Sequence, residues 1–188
     1  RYQPRQAGDT SVVGWQVMAL KWGQMGGLSV PNITLQMAAK YLDACESTDG
    51  GGYGYTGPGD APTMSAVGLL CREYLGTPRR NANLRNGVEK LMKRYPPNGN
   101  NLYYEYYATQ VFHHMGGDYW DAWNKGKDAK KGMRDLLIAQ QSADGSWDRR
   151  GDGHCGPGGR IMKSSLCLLT LEVYYRHLPL YQRVDTKK

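Results

Sequence analysis

Several things are scarce or missing in this sequence, and each absence closes a route. No stretch approaches the roughly 18 uninterrupted apolar residues of a membrane-spanning helix, so no span is expected. The four cysteines, Cys45, Cys71, Cys155 and Cys167, contain no C-x-x-C pair, which removes the common zinc-finger and thioredoxin-type spacings. At 188 residues the chain buries a core without needing a disulfide scaffold, so the cysteines' pairing and the redox compartment stay open. Despite a net charge of +7, the sequence has no long basic helix and no RNA-type aromatic motif, so nucleic acid is not an expected partner. The run Lys125, Lys127, Lys130 and Lys131 reads as a solvated face. No phosphate loop, Ser-His-Asp set or paired-carboxylate spacing is present. No segment reads as a strand. There is no signal peptide and no initiating Met, so the chain is expected to be part of a longer one, and its localisation is not legible.

What the sequence has is glycine and tyrosine. Its 25 glycines are clustered, and 14 tyrosines stand against one phenylalanine. The glycine clusters punctuate seven helical segments. These cover about Thr10–Gln24 with Asp9 as N-cap, a segment from Pro31 carrying Ile33, Met37, Leu42 and Cys45, and one that starts after Thr63 and ends at Gly76. They continue with Asn83–Tyr95, Asn101–Met115, a split segment at Tyr119–Asn124 and Lys131–Ser142, and Ile161–His177. The last is apolar nearly all round, which predicts burial. One repeat domain over 9–181 is expected, with loose tails at 1–8 and 182–188.

An internal repeat underlies this segmentation. From Lys131 the chain reads Lys-Gly, three residues, Leu136-Leu137, three residues, Gln141, three residues, Gly145, one residue, Trp147. From Ala38 it reads two residues, Tyr41-Leu42, three residues, Glu46, four residues, Gly51, one residue, Tyr53. A third copy runs from Gly87 through Leu91-Met92 and Pro96 to Gly99. Each copy joins an amphipathic helix to a glycine-rich turn and then to another helix. Three helix pairs plus one leading helix form a stack.

The Gln141–Trp147 stretch resembles the QW motif of squalene and oxidosqualene cyclases, with Leu136 where that family prefers an aromatic residue. Asp9-Thr10 with Trp15 and Ala19-Leu20 resembles the start of an inner toroid helix of the same superfamily, and Asn101–Gly117 and Gly158–Tyr181 are similar to bacterial prenyltransferase/squalene oxidase repeat proteins. The resemblance spans roughly 8–181 and implies an all-α, partial α/α toroid, whose remaining helix pairs lie upstream in a longer parent chain. It also implies that Gln141, Gly145 and Trp147 are structural: the amide satisfies a helix end and the indole packs over the turn.

The resemblance can be tested for chemistry residue by residue. Cyclases of this type protonate substrate with an aspartic acid, and its position here is Gly8; Asp9-Thr10 matches only the end of the motif. Protein prenyltransferases hold zinc with Asp, Cys and His. Asp152, His154 and Cys155 have the right types but not the family's Asp-x-Cys spacing, and His177, His113 and His114 fall at the wrong helix ends. Cys155-Gly156-Pro157-Gly158 lacks the glutamine of a complement-type thioester. Catalysis and a resident cofactor are therefore not expected, with zinc at Asp152, His154 and Cys155 the one metal option.

Four inner-helix N-termini at one end of the stack would form a mouth suited to anions. Its candidate residues are Asp9, Thr63, Tyr103, Tyr104, Tyr107 and Arg160, with Asp9, Thr63 and Asn101 alternatively just capping their own helices. The run Tyr103-Tyr104-Glu105-Tyr106-Tyr107 reads equally as a ligand wall or as packing between layers. The expectation is a non-catalytic binding domain for a peptide, glycan or isoprenoid. The alternatives are a fragment of a terpenoid cyclase or prenyl-diphosphate transferase, or a structural module of a larger envelope protein.

Overall fold

The computed structural model describes residues 5–127 and 129–176. The proposed C-terminal tail at 182–188, most of the N-terminal tail and His177 lie outside them. Among the described residues there are nine α-helices and no strand: α1 Thr10–Met25, α2 Asn32–Cys45, α3 Pro62–Tyr74, α4 Ala82–Arg94, α5 Leu102–Met115, α6 Gly117–Lys125, α7 Met133–Gln140, α8 Gly159–Leu171 and α9 Val173–Arg176. The all-α class is as expected, and so are the starts and stops of most helices to within two residues. No described helix is long and apolar enough to cross a membrane. The chain divides into two compact units, Arg1–Leu91 and Met92–Lys188.

In unit 1, α1 starts where the sequence places it. The Asp9 carboxylate accepts from Val12 N at 3.0 Å and Ser11 Oγ at 2.5 Å, satisfying helix-start donors. α1 packs on α2 and α3, burying Val17 and Met18. α3 begins one residue before Thr63, at Pro62, which needs no N–H partner in the first turn; Ala61 is the cap and no side chain caps it. Thr63 therefore does not cap α3. α2 buries only Leu42 and Cys45, and leaves Ile33 and Met37 on the surface.

In unit 2, α5 is the central helix. It packs on α6, α8 and α9 and is buried over most of its circumference, with Phe112 stacked on Trp123 at 4.3 Å. The Trp123 indole donates to Thr109 Oγ1 at 2.9 Å. The split segment is a true break: Gly126 has φ +90°, and a Cβ there would lie 1.9 Å from Lys130 O. Gly132 is equally confined, its Cβ position 2.3 Å from Asn124 O. Only glycine fits this pinch, which closes a small loop between α6 and α7. α8 buries Lys163, Leu166, Cys167 and Thr170 but leaves Ile161 82% and Leu168 48% exposed. Apolar character all round thus does not translate into burial all round, and Glu172 ends α8 before α9.

Candidate functional site

The turns come first, because they fix everything around them. α2 ends at Glu46, which forms an isolated antiparallel bridge with Tyr53; α7 ends at Gln141, which forms the same bridge with Trp147. Ser47 N donates to Gly52 O at 2.9 Å, and Ser142 N to Ser146 O at 2.8 Å. The aromatic residue's backbone then ties to a serine on the next helix: Tyr53 N to Ser65 Oγ at 3.0 Å, Trp147 N to Ser164 Oγ at 3.1 Å. Both rings are buried, against turns preceded by the buried Leu42 and Leu137. These two turns are one device used twice. In the third copy Pro96 stands where the glutamine would be. There Glu105 reaches back from α5, and its Oε1 accepts from Asn98 N at 2.8 Å and Gly99 N at 2.7 Å. Burial pushes the Glu105 carboxyl up to about 7, against the two backbone hydrogen bonds; Asp152 adds to the rise and Lys163 opposes it.

Around the device the two units diverge. In unit 2, Gln141 Nε2 donates to Gly145 O at 2.9 Å and the Trp147 indole to Leu137 O at 2.8 Å. In unit 1 the corresponding groups are charged. Glu46 Oε1 accepts from Gly51 N at 3.0 Å and Asn83 Nδ2 at 2.9 Å, and its Oε2 pairs with Arg72 at 3.0 Å. The Arg72 guanidinium also donates to the Tyr53 hydroxyl at 3.0 Å, to Ala39 O at 3.4 Å and to Asp43 Oδ1 at 2.6 Å. Burial works to lower the Arg72 pKa, but these partners more than offset it and raise it. Burial pushes the Tyr53 hydroxyl up to about 12, against the pull of Arg72. A cavity of about 240 Å³ opens here, lined among others by Asp43, Glu46, Arg72, Asn81 and Asn83. Close packing explains one glycine: a Cβ on Gly68 would sit 2.3 Å from the Tyr53 ring.

The residues singled out from sequence have mixed placements. Asp9 is buried, and burial raises its pKa less than the hydrogen bonds from Ser11 and Val12 lower it. Thr10 Oγ1 beside it donates to Gly54 O at 2.6 Å, so this helix start is docked on the 46–61 loop. Thr63 is also buried. In unit 2, Asn101 caps α5 through Tyr104 N at 3.0 Å. Tyr104 is buried, its hydroxyl donating to Tyr95 O at 2.8 Å, and Tyr107 is buried too. The tyrosine run is therefore mainly packing, as one of its two readings had it. Only Tyr103 is half-buried; it stacks on His154 at 5.5 Å and 11° and meets Tyr107 edge-on at 5.3 Å. Arg160 leans to the other turn, pairing with Asp144 at 2.6 Å.

Asp152 acts as a bracket. Its Oδ2 accepts from Leu102 N at 2.8 Å and its Oδ1 from His154 N at 2.9 Å and Cys155 N at 3.1 Å. Cys155 is buried, and burial together with the nearby Asp152 carboxylate pushes its thiol up to about 12. Among the described residues, no three His, Cys, Asp or Glu side chains are grouped so as to hold a metal. No known family, no curated protein and no solved structure matches the chain.

Sequence reasoning missed Arg72, and although Glu105 stood out within the tyrosine run, it gave that carboxylate no partner. Arg72 lies 26 and 29 residues from its carboxylate partners, so no local pattern reveals it. Glu105 had a signal: with Pro96 at the cap position, the third turn has no side chain of its own to accept from its backbone N–H groups as Glu46 does in the first.

Proposed function

We propose that the chain is a non-catalytic binding domain built from helix-pair repeats of the squalene-cyclase and prenyltransferase type, a partial α/α toroid. The twice-used bridge-and-serine turn supports the repeat reading. The observation that carries the binding reading is the Tyr103–His154 stack at the start of α5. It offers a half-buried aromatic face and an exposed imidazole beside the loop that Asp152 holds rigid. Such a pre-organised face suits stacking against a sugar, a peptide side chain or an isoprenoid. The cyclase alternative has no acid at Gly8, and no observation favours it.

A purely structural module is the second reading. Its support is that Asp9, Asn101 and Asp152 all spend their acceptors on their own helix starts and loop. Thermal-shift titration with farnesyl diphosphate, cellobiose and a short peptide separates the two, because a native-state ligand raises the melting temperature by mass action. The binder reading expects a saturable rise that Tyr103→Ala abolishes. A flat response to all three leaves the structural module.

A further inference from the structure

We propose that the lysine-lined cavity of unit 2, beside the α6–α7 loop, docks a short acidic peptide segment of a partner protein. One apolar side chain of that segment fills the cavity and its flanking carboxylates meet the lysines. The site is separate from the Tyr103 face and does not depend on it.

The first argument is what the fold gathers. The cavity has a volume of about 290 Å³ and lies wholly within unit 2. Lys93 reaches it from the last turn of α4, and Lys127, Lys130 and Lys131 from the loop that the glycine pinch closes. Its apolar wall is Met92, Pro96 and Pro97 with Ala122 of α6. Pro96 stands at the cap position where the other two copies of the repeat have Glu46 and Gln141, so the third copy puts a ring where they put a polar group. The two prolines hold their φ fixed and the loop ends are in contact, so the wall is formed in advance of any ligand.

The second argument is charge. Over 92–97 and 122–131 the sequence has six basic residues, Lys93, Arg94, Lys125, Lys127, Lys130 and Lys131, against the single acidic Asp128, a net of five positive charges. Lys125 is paired with Asp121 at 2.9 Å. Asp118 and Asp121 line a neighbouring cavity, which shares Ala122, Gly126 and Lys127 with this one. Asp135, on which Lys131 acts at longer range, is held by Arg134 at 2.7 Å. Among the described residues, no carboxylate forms an ion pair with Lys93, Lys127, Lys130 or Lys131. Four like charges are thus held together against their own repulsion, and no ion pair of the fold answers them. A concave site lined by one sign of charge concentrates groups of the other. The apolar wall then selects among anions. A phosphate ion would leave it uncovered, and a flat bilayer surface reaches the rim and not the wall. No aromatic side chain lines the cavity to stack a base. A cavity of this volume takes one large apolar side chain, and a peptide with carboxylates on either side of that side chain fits both parts.

The test follows the backbone amide signals of Gly126, Ala129 and Gly132 by two-dimensional ¹H–¹⁵N NMR while the chain is titrated with acetyl-Glu-Glu-Leu-Glu-Glu-amide. The expected result is a saturable shift with a dissociation constant of about 0.1 mM at about 20 mM salt. Binding should weaken at least about tenfold at about 300 mM salt, which screens exposed charges. Replacing the central Leu of the peptide by Ser leaves the wall uncovered and should weaken binding at least about fivefold. Lys127→Gln combined with Lys130→Gln and Lys131→Gln should weaken it at least about tenfold with the melting temperature unchanged or raised. A control that loses the same charge outside the cavity, Lys40→Gln with Arg85→Gln and Arg149→Gln, should keep binding within about twofold. No shift with the Leu peptide, equal binding of the Ser peptide, or equal weakening by the two triple variants would each overturn the proposal. So would retention on phosphatidylserine vesicles that the Leu peptide does not displace, which would assign the lysines to an anionic bilayer.

Discussion

The turn at Glu46–Tyr53 and the turn at Gln141–Trp147 share a bridge, a buried ring and a serine anchor, yet surround them with opposite chemistry. In unit 2 the ring's polar atom is satisfied by the main chain at Leu137 O, and the cap is a neutral amide. In unit 1 the Tyr53 hydroxyl accepts from a guanidinium that two carboxylates hold. The backbone device thus tolerates either a neutral or an ionic set of side chains. It follows that the backbone bonds define the repeat, and the side chains around them are free to take on something else.

The comparison can be broken most forcefully at the ring. Trp147→Ala removes a buried indole and its bond to Leu137 O, and should cost about 3 to 5 kcal/mol. Chemical denaturation measures this, and a loss below about 1 kcal/mol would mean the indole is no staple.

The third turn gives a pH test. Glu105 titrates at about 7 in the folded chain against 4.5 for the unperturbed group. Below about 4.5 it is protonated in both states, so its full contribution is present there. As pH rises from there to 7 the unfolded chain ionises first, and about 3 kcal/mol of stability drains away. Glu105→Gln should remove this slope, seen as a gap between variant and parent that is small at pH 4.5 and widest at pH 8. Parallel curves for the two proteins would exclude it.

The charged set can be rewritten as the neutral one. Arg72→Leu strands Glu46, whose side chain is 16% exposed, and should cost about 2 to 3 kcal/mol once residual solvation is allowed for. Adding Glu46→Gln recreates the unit 2 chemistry and should recover at least half of that loss. If the double variant unfolds as readily as the single one, the two turns are not interchangeable. The finest test is the serines: Ser65→Ala and Ser164→Ala each remove one hydrogen bond to a backbone N–H and should each cost about 1 kcal/mol. A clear inequality in urea midpoints would show that the anchors differ in weight.

Local chemistry made much of this legible in advance. Asp9 before Thr10, Gly116 after Met115 and the spacing Leu-x3-Gln-x3-Gly-x-Trp act within a few residues of one another, so their outcome is written in the chain. Thr63 misled because Pro62 takes the first helical position and a proline needs no cap for its own nitrogen. The tyrosine run was ambiguous because α5 is enclosed by neighbours that its own periodicity does not reveal; that enclosure leaves Tyr103 alone near solvent. Ile161 and Leu168 show the reverse, an apolar helix face that the fold leaves uncovered. The Arg72 network stayed hidden because its members meet only after α2, α3 and the intervening loop have packed.

The pinch at Gly126 and Gly132 has a practical corollary. Because the two ends of the α6–α7 connection already touch, its length is nearly decoupled from the geometry of the helices on either side. Lengthening a closed loop costs only about 0.6 kcal/mol per doubling. The lysine-rich apex is therefore a natural docking port for foreign sequence: an epitope or reporter peptide spliced there would hang outside the unit like a label on a string.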